Sequence, residues 1–600
     1  MTETIRVSRR GAVLDVVLLR NEAAGWLTAP QRAALLQVLT HPAEGAHAVL
    51  LRADDRTLAA FDDGGPDLPS ADEAAAPTLA HVCQAVAGSQ IPVVALLEGL
   101  VSGAGAELAL AAAARLATPA ARIAFPAARI GRITGAGGIH RLARLIGAAD
   151  ALRLLRAPRP TPAPEALALG LVDRVIEGDS ETEILTAAAA FALGGAWRSV
   201  PDAGLRDGRA FLQAVATARS TATDGIGRAL ADCVEATLLL PADQSLAFEA
   251  AQAAARDAQP EVAALAHLTR AERAAAQTPE PLRRVQTAPV TRPGFAGGSA
   301  AVTGMVLSAL ARGHQVPIYE PERSKLVPLL QGIAARQEAA MQAGTLSAPQ
   351  RDADWARLQP VSELSALDTA DLVIVAADGP LPARKRGVPV LVMGRSPLPE
   401  GALRLVLSGR IAELGVPPSF PAGMAASAIA FLRRLGLTVV LTGVQSPAGI
   451  SGRLAGAGGA ALRALVGIGV APQAVSWALT GFGLPAPTLP GPPDPAVPVR
   501  DMASDEILQR WLGALANEGA RLLASGLAQS ALDIDLVAVR GLGFPRESGG
   551  PLHQADCRGL MILRRDLAFW ARDDPFWTPV AALDALVSVG RGFAGSLSRG

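Results

Sequence analysis

The sequence is poor in the residues that mark several functional classes. Only three cysteines occur in 600 residues, Cys83, Cys233 and Cys557. They lie far apart and form no Cys-x-x-Cys pair, which excludes a disulfide framework and fits a reducing compartment. The seven histidines are scattered. No His-Glu-x-x-His run exists, so no metal site is expected. Aromatics make up only 4% of the chain, and 55 Lys+Arg balance 55 Asp+Glu. With no basic stripe and no interleaved aromatics, nucleic acid is not an expected partner. The start, MTETIRVSRRGAV, lacks the apolar core of a signal peptide. The longest apolar region, about residues 93–114, is broken by Glu98, Glu107 and several glycines, so no membrane span is expected. The last residues, Leu-Ser-Arg-Gly, do not form a peroxisomal tripeptide, and a cytoplasmic location is the expectation.

What is present points to a large globular protein. The chain is too long for one core and suggests roughly three to five domains. Half of its residues are hydrophobic. With 60 glycines and 45 prolines, chance matches to Gly-rich motifs are frequent, so no such motif carries weight alone.

The first twenty residues read as two short strands, followed by a helix from about Pro30 to Leu39 and a strand from Ala48 to Arg52. A polar loop and a helix, Glu73 to Ala87, lead to an apolar run at Val93–Leu97. That run enters the small-residue turn Ser102-Gly103-Ala104-Gly105, which opens into a helix-forming run from Glu107 to Ala117. Small residues let a ligand approach the backbone, and a helix start supplies unpaired N–H groups. This geometry suits an oxygen that gains negative charge, with Glu107 placed to act as acid or base beside it. A buried turn between strand and helix is the plainer explanation of the local pattern.

Over the whole stretch from Pro92 to Leu142, the Gly-rich turn, Glu107-Leu-Ala, a following Ala-Arg and Gly135-Ala-Gly-Gly138 resemble the enoyl-CoA hydratase/isomerase (crotonase) family. The resemblance implies a ββα-spiral domain and an enoyl-CoA or other acyl-CoA thioester as ligand. It implies backbone oxyanion donors at Ala60 and Ala104, with Gly103 and Gly105 supporting the turn, and Glu107 as the catalytic acid/base. In the loop around Ala60, Phe61 replaces a family glycine, and Asp62 and Asp63 are the acids nearest to hand. The family's second glutamate, in a Pro-Glu pair, reads Phe125-Pro126-Ala127 here. Alanine transfers no proton, and losing a general acid or base typically costs about 10²–10⁴ in rate. Arg129 nearby stays protonated and cannot substitute.

The remainder resembles the rest of a multifunctional fatty acid β-oxidation enzyme, most strongly at residues 504–556. Ser504-Asp-Glu, Asn517-Glu-Gly-Ala-Arg, Asp533-Ile-Asp, Gly541-Leu-Gly-Phe-Pro545 and Gly549-Gly-Pro-Leu-His-Gln-Ala-Asp556 carry that resemblance. Residues 266–277 resemble the helix that precedes the dehydrogenase part, and Ala309–Glu320 its helix, Gly-His turn and second strand. The implied 3-hydroxyacyl-CoA dehydrogenase half is degenerate. Its three phosphate-loop glycines fall at Gly297, Ser299 and Val302, and Glu320 takes the ribose position. Pro289 and Pro293 are expected to disrupt the first strand and its turn, and Val302 to hinder helix–strand packing. Pro417 stands where the catalytic histidine belongs, Ile429 near its partner glutamate, Val375 at the strand-end glutamate, and Gly452 where the family has Asn. His314 and His553 read as structural, and Ala455–Gly459 as close helix packing.

The expected architecture is α/β multidomain. It comprises a crotonase-like domain (1–185), a helical extension and linker (186–280), a degenerate Rossmann-like domain (281–422), and two all-α dehydrogenase-type domains (423–497 and 498–600). NAD is expected of the family but not of these residues, and the hydratase-like site requires no cofactor. The resemblance further implies a thiolase subunit as partner. Two readings stay open: a weakened hydratase-like enzyme, and a non-catalytic acyl-CoA-binding or scaffolding protein.

Overall fold

The computed structural model describes residues 4–20, 27–54, 58–60 (backbone), 76–157, 159–195, 202–222, 224–382, 387–394, 398–488, 491 and 495–595. It divides into two compact units, Met1–Ala266 and His267–Gly600.

Ten strands build the first unit: β1 (Ile5–Arg10), β2 (Val13–Leu18), β3 (Ala48–Ala53), β4 (Leu58–Ala60), β5 (Val93–Leu97), β6 (Leu100–Gly103), β7 (Ala114–Ala117), β8 (Arg122–Ala124), β9 (Thr161–Pro162) and β10 (Arg174–Val175). They form a six-stranded sheet, β1-β2-β3-β5-β7-β10, and a four-stranded sheet, β4-β6-β8-β9. Successive strands alternate between the two sheets, β3 to β4, β5 to β6 and β7 to β8, which is the ββα spiral. The β1–β2 hairpin is antiparallel, and the other pairs of the large sheet are parallel. Strands β2 and β5 are buried along their whole length, as an apolar parallel sheet covered on both faces requires.

The helix expected over Glu107–Ala117 is shorter. It spans Ala104–Ala111, and the chain then enters β7. The alanine-rich run has helical propensity throughout, but Ala114–Ala117 is taken up between β5 and β10, and tertiary pairing overrides propensity. Arg115 is tolerated inside this strand because it meets Asp173 at 2.9 Å and donates to the Leu171 carbonyl.

The second unit holds an eight-stranded sheet of β11 (Pro293–Ala296), β12 (Val316–Tyr319), β13 (Leu358–Val361), β14 (Leu372–Val375), β15 (Val390–Met393), β16 (Leu403–Ser408), β17 (Ile411–Gly415) and β18 (Thr438–Thr442). Their order is β13-β12-β11-β14-β15-β16-β17-β18. The first six follow the 3-2-1-4-5-6 order of a doubly wound dinucleotide fold, with β16 and β17 antiparallel. Three sequence expectations are corrected here. Pro293 does not prevent the first strand: it occupies the opening position of β11 opposite Leu372, and pairing with β12 begins only at Phe295. Val302 does not hold the helix Ala300–Leu310 off the sheet, because its side chain is wholly buried in the same cluster as Phe295 and Ile318. The sheet also runs past residue 422, since β18 pairs with β17 inside a region expected to be helical.

Among the described residues, seven α-helices between Gly449 and Ser588 complete the unit around a second apolar core. The C-terminal motif residues act there as packing devices. Asp535 is fully buried and accepts N–H groups of Leu552 and His553, at the start of the helix Pro551–Arg558, and the His267 ring at 2.8 Å. Gly550, at φ +108°, lies directly over it. Asn517 ties the helix Ser504–Ala524 to Thr578 and Val580. Of the glycines in 455–459, Gly458 rests on the Trp511 ring and serves helix packing, whereas Gly456 faces open space. An added Cβ at Gly550 would stand 2.5 Å from the Asp535 side chain. Gly550→Ala is therefore expected to lower the stability of the second unit by roughly 2 kcal/mol or more. Gly526→Ala, also at positive φ but facing open space, serves as the comparison and should cost only about 1 kcal/mol by chemical denaturation.

Candidate functional site

The turn between β6 and the helix Ala104–Ala111 brings most of the predicted positions together. β4 pairs with β6 in parallel, which sets the Ala60 backbone opposite Gly103. Gly103 has φ +57°, and no side chain caps the helix that follows. The first N–H groups of that helix therefore lack an intrahelical partner. Gly103 and Ala104 are half-buried, whereas Gly105 through Ala111 are buried. The two expected donor positions are thus neighbouring backbone segments, with Ala104 on the more open side of the turn. Phe61, Asp62 and Asp63 lie outside the described residues.

Glu107 sits in the first turn of the helix and is buried. Its Oε2 accepts the Ala136 N–H at 2.9 Å and the Gly138 N–H at 3.2 Å. Burial and the nearby Glu249 carboxylate push the Glu107 carboxyl up to about 8. The Gly135-Ala-Gly-Gly138 motif now has a physical explanation. A Cβ at Gly138 would lie 2.9 Å from the Glu107 Cγ, one at Gly137 would lie 2.5 Å from Leu246, and one at Gly135 would lie 2.9 Å from Ala253. The turn is wedged between the Glu107 side chain and the helix Ala242–Asp257.

That second helix supplies a residue that sequence reading missed. Glu249 is buried, and its Oε1 accepts from Thr134 Oγ1, Gly137 N–H and Ile139 N–H, its Oε2 from His140 N–H. Its surroundings in sequence, Ser245-Leu-Ala-Phe-Glu249, look like an ordinary charged face of a surface helix, and no local signal distinguishes it.

Ala127 lies in the short 3₁₀ segment Pro126–Ile130, which packs against β6. Neighbouring Phe125, Ala128 and Arg129 line a cavity of 170 Å³ with Leu155, Arg156 and Asp224. Pro126 to Ile130 contains no carboxylate.

In the second unit, the residues at the expected dinucleotide positions make contacts within the chain. Glu320 accepts the Gly298 N–H at 2.7 Å and the Glu322 N–H at 3.0 Å. Gly297 packs so closely that a Cβ there would stand 2.8 Å from the Gly379 Cα and 2.9 Å from the Ala376 Cβ. Ser299 caps the following helix through the Val302 N–H. A 550 Å³ cavity in this unit lies at the opposite edge, lined by Val290, Asp371, Val388 and Pro389 before β11, β14 and β15. Pro417 only accepts a turn hydrogen bond from Phe420, Ile429 is core, and Gly452 lies inside the helix Gly449–Gly467. The structure places a different carboxylate in this region. Glu413 on β17 is fully buried and accepts the Ile450 and Ser451 N–H groups. A single acid in the apolar strand Ile411-Ala-Glu-Leu-Gly415 was the available signal. His314 bonds the Thr291 carbonyl and packs on Phe431, while the His553 ring stacks 4.8 Å from His267.

Comparison with known proteins gives a consistent family signal. Residues 9–193 match the enoyl-CoA hydratase/isomerase family. The chain is 25% identical to a peroxisomal bifunctional enzyme of Danio rerio, over 86% of this chain and 88% of that one. It is 38% identical over 110 residues to a glyoxysomal fatty acid β-oxidation multifunctional protein of Brassica napus, covering 18% of this chain and 15% of that one. Among solved structures, it is similar to a 3-hydroxybutyryl-CoA dehydrogenase of Escherichia coli, with TM-score 0.40, 15% identity, and coverage of 50% of this chain and 99% of that one. An enoyl-CoA hydratase of Mycobacterium avium gives TM-score 0.33 and 19% identity, over 44% of this chain and 98% of that one. Among the described residues, no helix is long and apolar enough to cross a membrane.

The raised Glu107 carboxyl makes a prediction of definite sign. Its ordinary value of 4.5 applies to the unfolded chain and about 8 to the folded one. Between these values the folded state binds more protons, so stability falls as pH rises and levels off above the folded value. Glu107→Gln, which keeps an acceptor oxygen but cannot ionise, lacks this slope. Its stability relative to wild type is expected to improve between about pH 5 and about pH 9, by a few kcal/mol in chemical denaturation.

Proposed function

Because the chain is of the multifunctional fatty acid β-oxidation type, with an enoyl-CoA hydratase/isomerase domain at its N-terminal end, we propose that it binds acyl-CoA thioesters at the β6 turn and retains at most slow enoyl-CoA hydration there. The Ala60 and Ala104 N–H groups would polarise the thioester oxygen, and among the described residues Glu107 would serve as the proton-transferring carboxyl. The observation that carries this reading is the register of β4 on β6, which sets Ala60 opposite Gly103 at the half-buried turn that starts the helix. Backbone donors aimed at a developing oxyanion supply a large share of catalysis in acyl chemistry, and they need no particular side chain. Hydration also needs a second carboxyl, and Ala127 takes its place.

A specific observation favours the non-catalytic alternative. Glu107 is sealed from solvent and already accepts two N–H groups, which suits a structural carboxyl as well as an acid. In the second unit, we read the dinucleotide crevice as closed to NAD and the dehydrogenase half as inactive. The support is that Glu320 is satisfied by Gly298 and Glu322, and that the 376–379 turn abuts Gly297.

Calorimetric titration with a saturated acyl-CoA and turnover assays with crotonyl-CoA test the proposal. Binding is expected, with slow turnover that Glu107→Gln abolishes. Ala127→Glu should raise turnover by about 10²-fold or more. Binding without turnover would select the non-catalytic alternative, and absence of both would sink the proposal. NADH titrated by fluorescence should show no saturable binding, and tight binding would refute the closed crevice.

A further inference from the structure

Two buried carboxylates share the start of one helix. The helix Gly138–Ile146 and the turn before it present five consecutive N–H groups, from Ala136 to His140. Glu107 takes those of Ala136 and Gly138, while Glu249 takes those of Gly137, Ile139 and His140 together with the Thr134 hydroxyl. The two side chains arrive from opposite sides of the turn, Glu107 from the helix Ala104–Ala111 and Glu249 from the helix Ala242–Asp257. Glu249 lies outside the matched family segment, which ends at residue 193.

We propose that Glu249 is a positioning residue for the N-terminal site: it is the fixed anion of this pair, and by holding the turn it obliges Glu107 to carry the proton the pair shares. This rests on the reading of Glu107 as the site's acid. The assignment follows from the donor count. Burial pushes both carboxyls up, but four donors converge on Glu249 and favour its ionised form, whereas Glu107 has two, both on Oε2, which leaves Oε1 for the proton. Like charges buried together resist joint ionisation, so the less supported carboxyl is the one protonated.

The other polar groups at the cluster do not reverse this. Arg141, on the same helix, donates to the Ala136 carbonyl and favours the ionised form of both acids. His140 turns its Nδ1 to Ser245 at 2.9 Å, and burial lowers its imidazole to about 4, so it adds no charge near neutrality. Cys83, from the helix Leu79–Ala87, has its thiol pushed up by burial and by Glu107, and stays neutral. One cation therefore faces two carboxyls, and one negative charge is the balanced state.

The consequence is a site acid that is protonated at neutral pH without any second glutamate at position 127. Infrared difference spectra of the full chain, wild type minus Glu107→Gln, isolate the protonated carboxyl band of Glu107 across a pH series. The band is expected to persist through neutral pH in wild type. In the Glu249→Gln background its midpoint should fall by about one pH unit or more. Arg141→Met, a second variant that leaves both carboxyls in place, should move the midpoint upward. A purely structural Glu249 would lower stability and leave the midpoint where it was, and that result overturns the proposal, as does a band absent from wild type at neutral pH. Because the band is read without substrate, a failure of acyl-CoA binding and a failure of this inference are separate results.

Discussion

A buried carboxylate taken up by the N–H groups at the start of a helix is the interaction on which both units depend. Glu107 and Glu249 do this at the helix Gly138–Ile146, Glu413 at Gly449–Gly467, and Asp535 at Pro551–Arg558. Each side chain joins elements distant in sequence. Glu249 fastens the helical extension to the spiral, Glu413 fastens the sheet to the helical layer, and Asp535 fastens the 531–542 helix and His267 to the helix after Gly550. A helix start leaves four N–H groups without intrahelical partners, and a buried start must satisfy them from elsewhere. A carboxylate does so with charge-assisted bonds, each worth roughly 1.5–3 kcal/mol.

Those magnitudes also decide which acids are charged. Removing a carboxylate from water costs several kcal/mol even after relaxation, on the order of what two or three such bonds return. Burial pushes both Glu249 and Glu107 up, and the four donors of Glu249 offset more of that cost than the two of Glu107. The same arithmetic warns against reading a buried acid as catalytic because it is buried. Glu413 and Asp535 are displaced upward by burial like Glu107, yet both are committed to helix starts. What separates Glu107 from them is its place, one turn along the helix from the half-buried Ala104.

The parts of the architecture that follow from local patterning were legible in the sequence. The apolar run at Val93–Leu97, bounded by turn residues and leading into the helix that carries Glu107, forms as such. Failures occurred where tertiary contacts outvote local preference. The run Ala114–Ala117 has helical composition but fills a gap between two parallel strands, and Pro293 is tolerated because it opens its strand. At the site, Glu107 and its turn were readable because motif residues are contiguous. Glu249 was not, because its role depends on a helix more than a hundred residues away settling on Gly135 and Gly137, a contact without local trace.

The second unit shows how a doubly wound strand order is held by its core rather than by its loops. The strand order of the sheet is maintained by apolar packing on both faces, with Phe295, Val302, Ile318 and Ile374 in one cluster, and none of those contacts requires a phosphate loop. Val302, at an expected loop position, shares in that packing. A valine at the third glycine position adds buried surface and stabilises the helix–sheet contact instead of obstructing it. Glu320, at the end of the second strand, satisfies the N–H groups of Gly298 and Glu322, a structural use that ties the remodelled loop to the strand. Moving this loop would cost those bonds as well as the packing of Gly297 against Gly379. In the first unit the backbone of Ala60 lies in register with Gly103, Glu107 stands in the first turn of the helix that follows, and the segment Pro126–Ile130 holds no carboxylate.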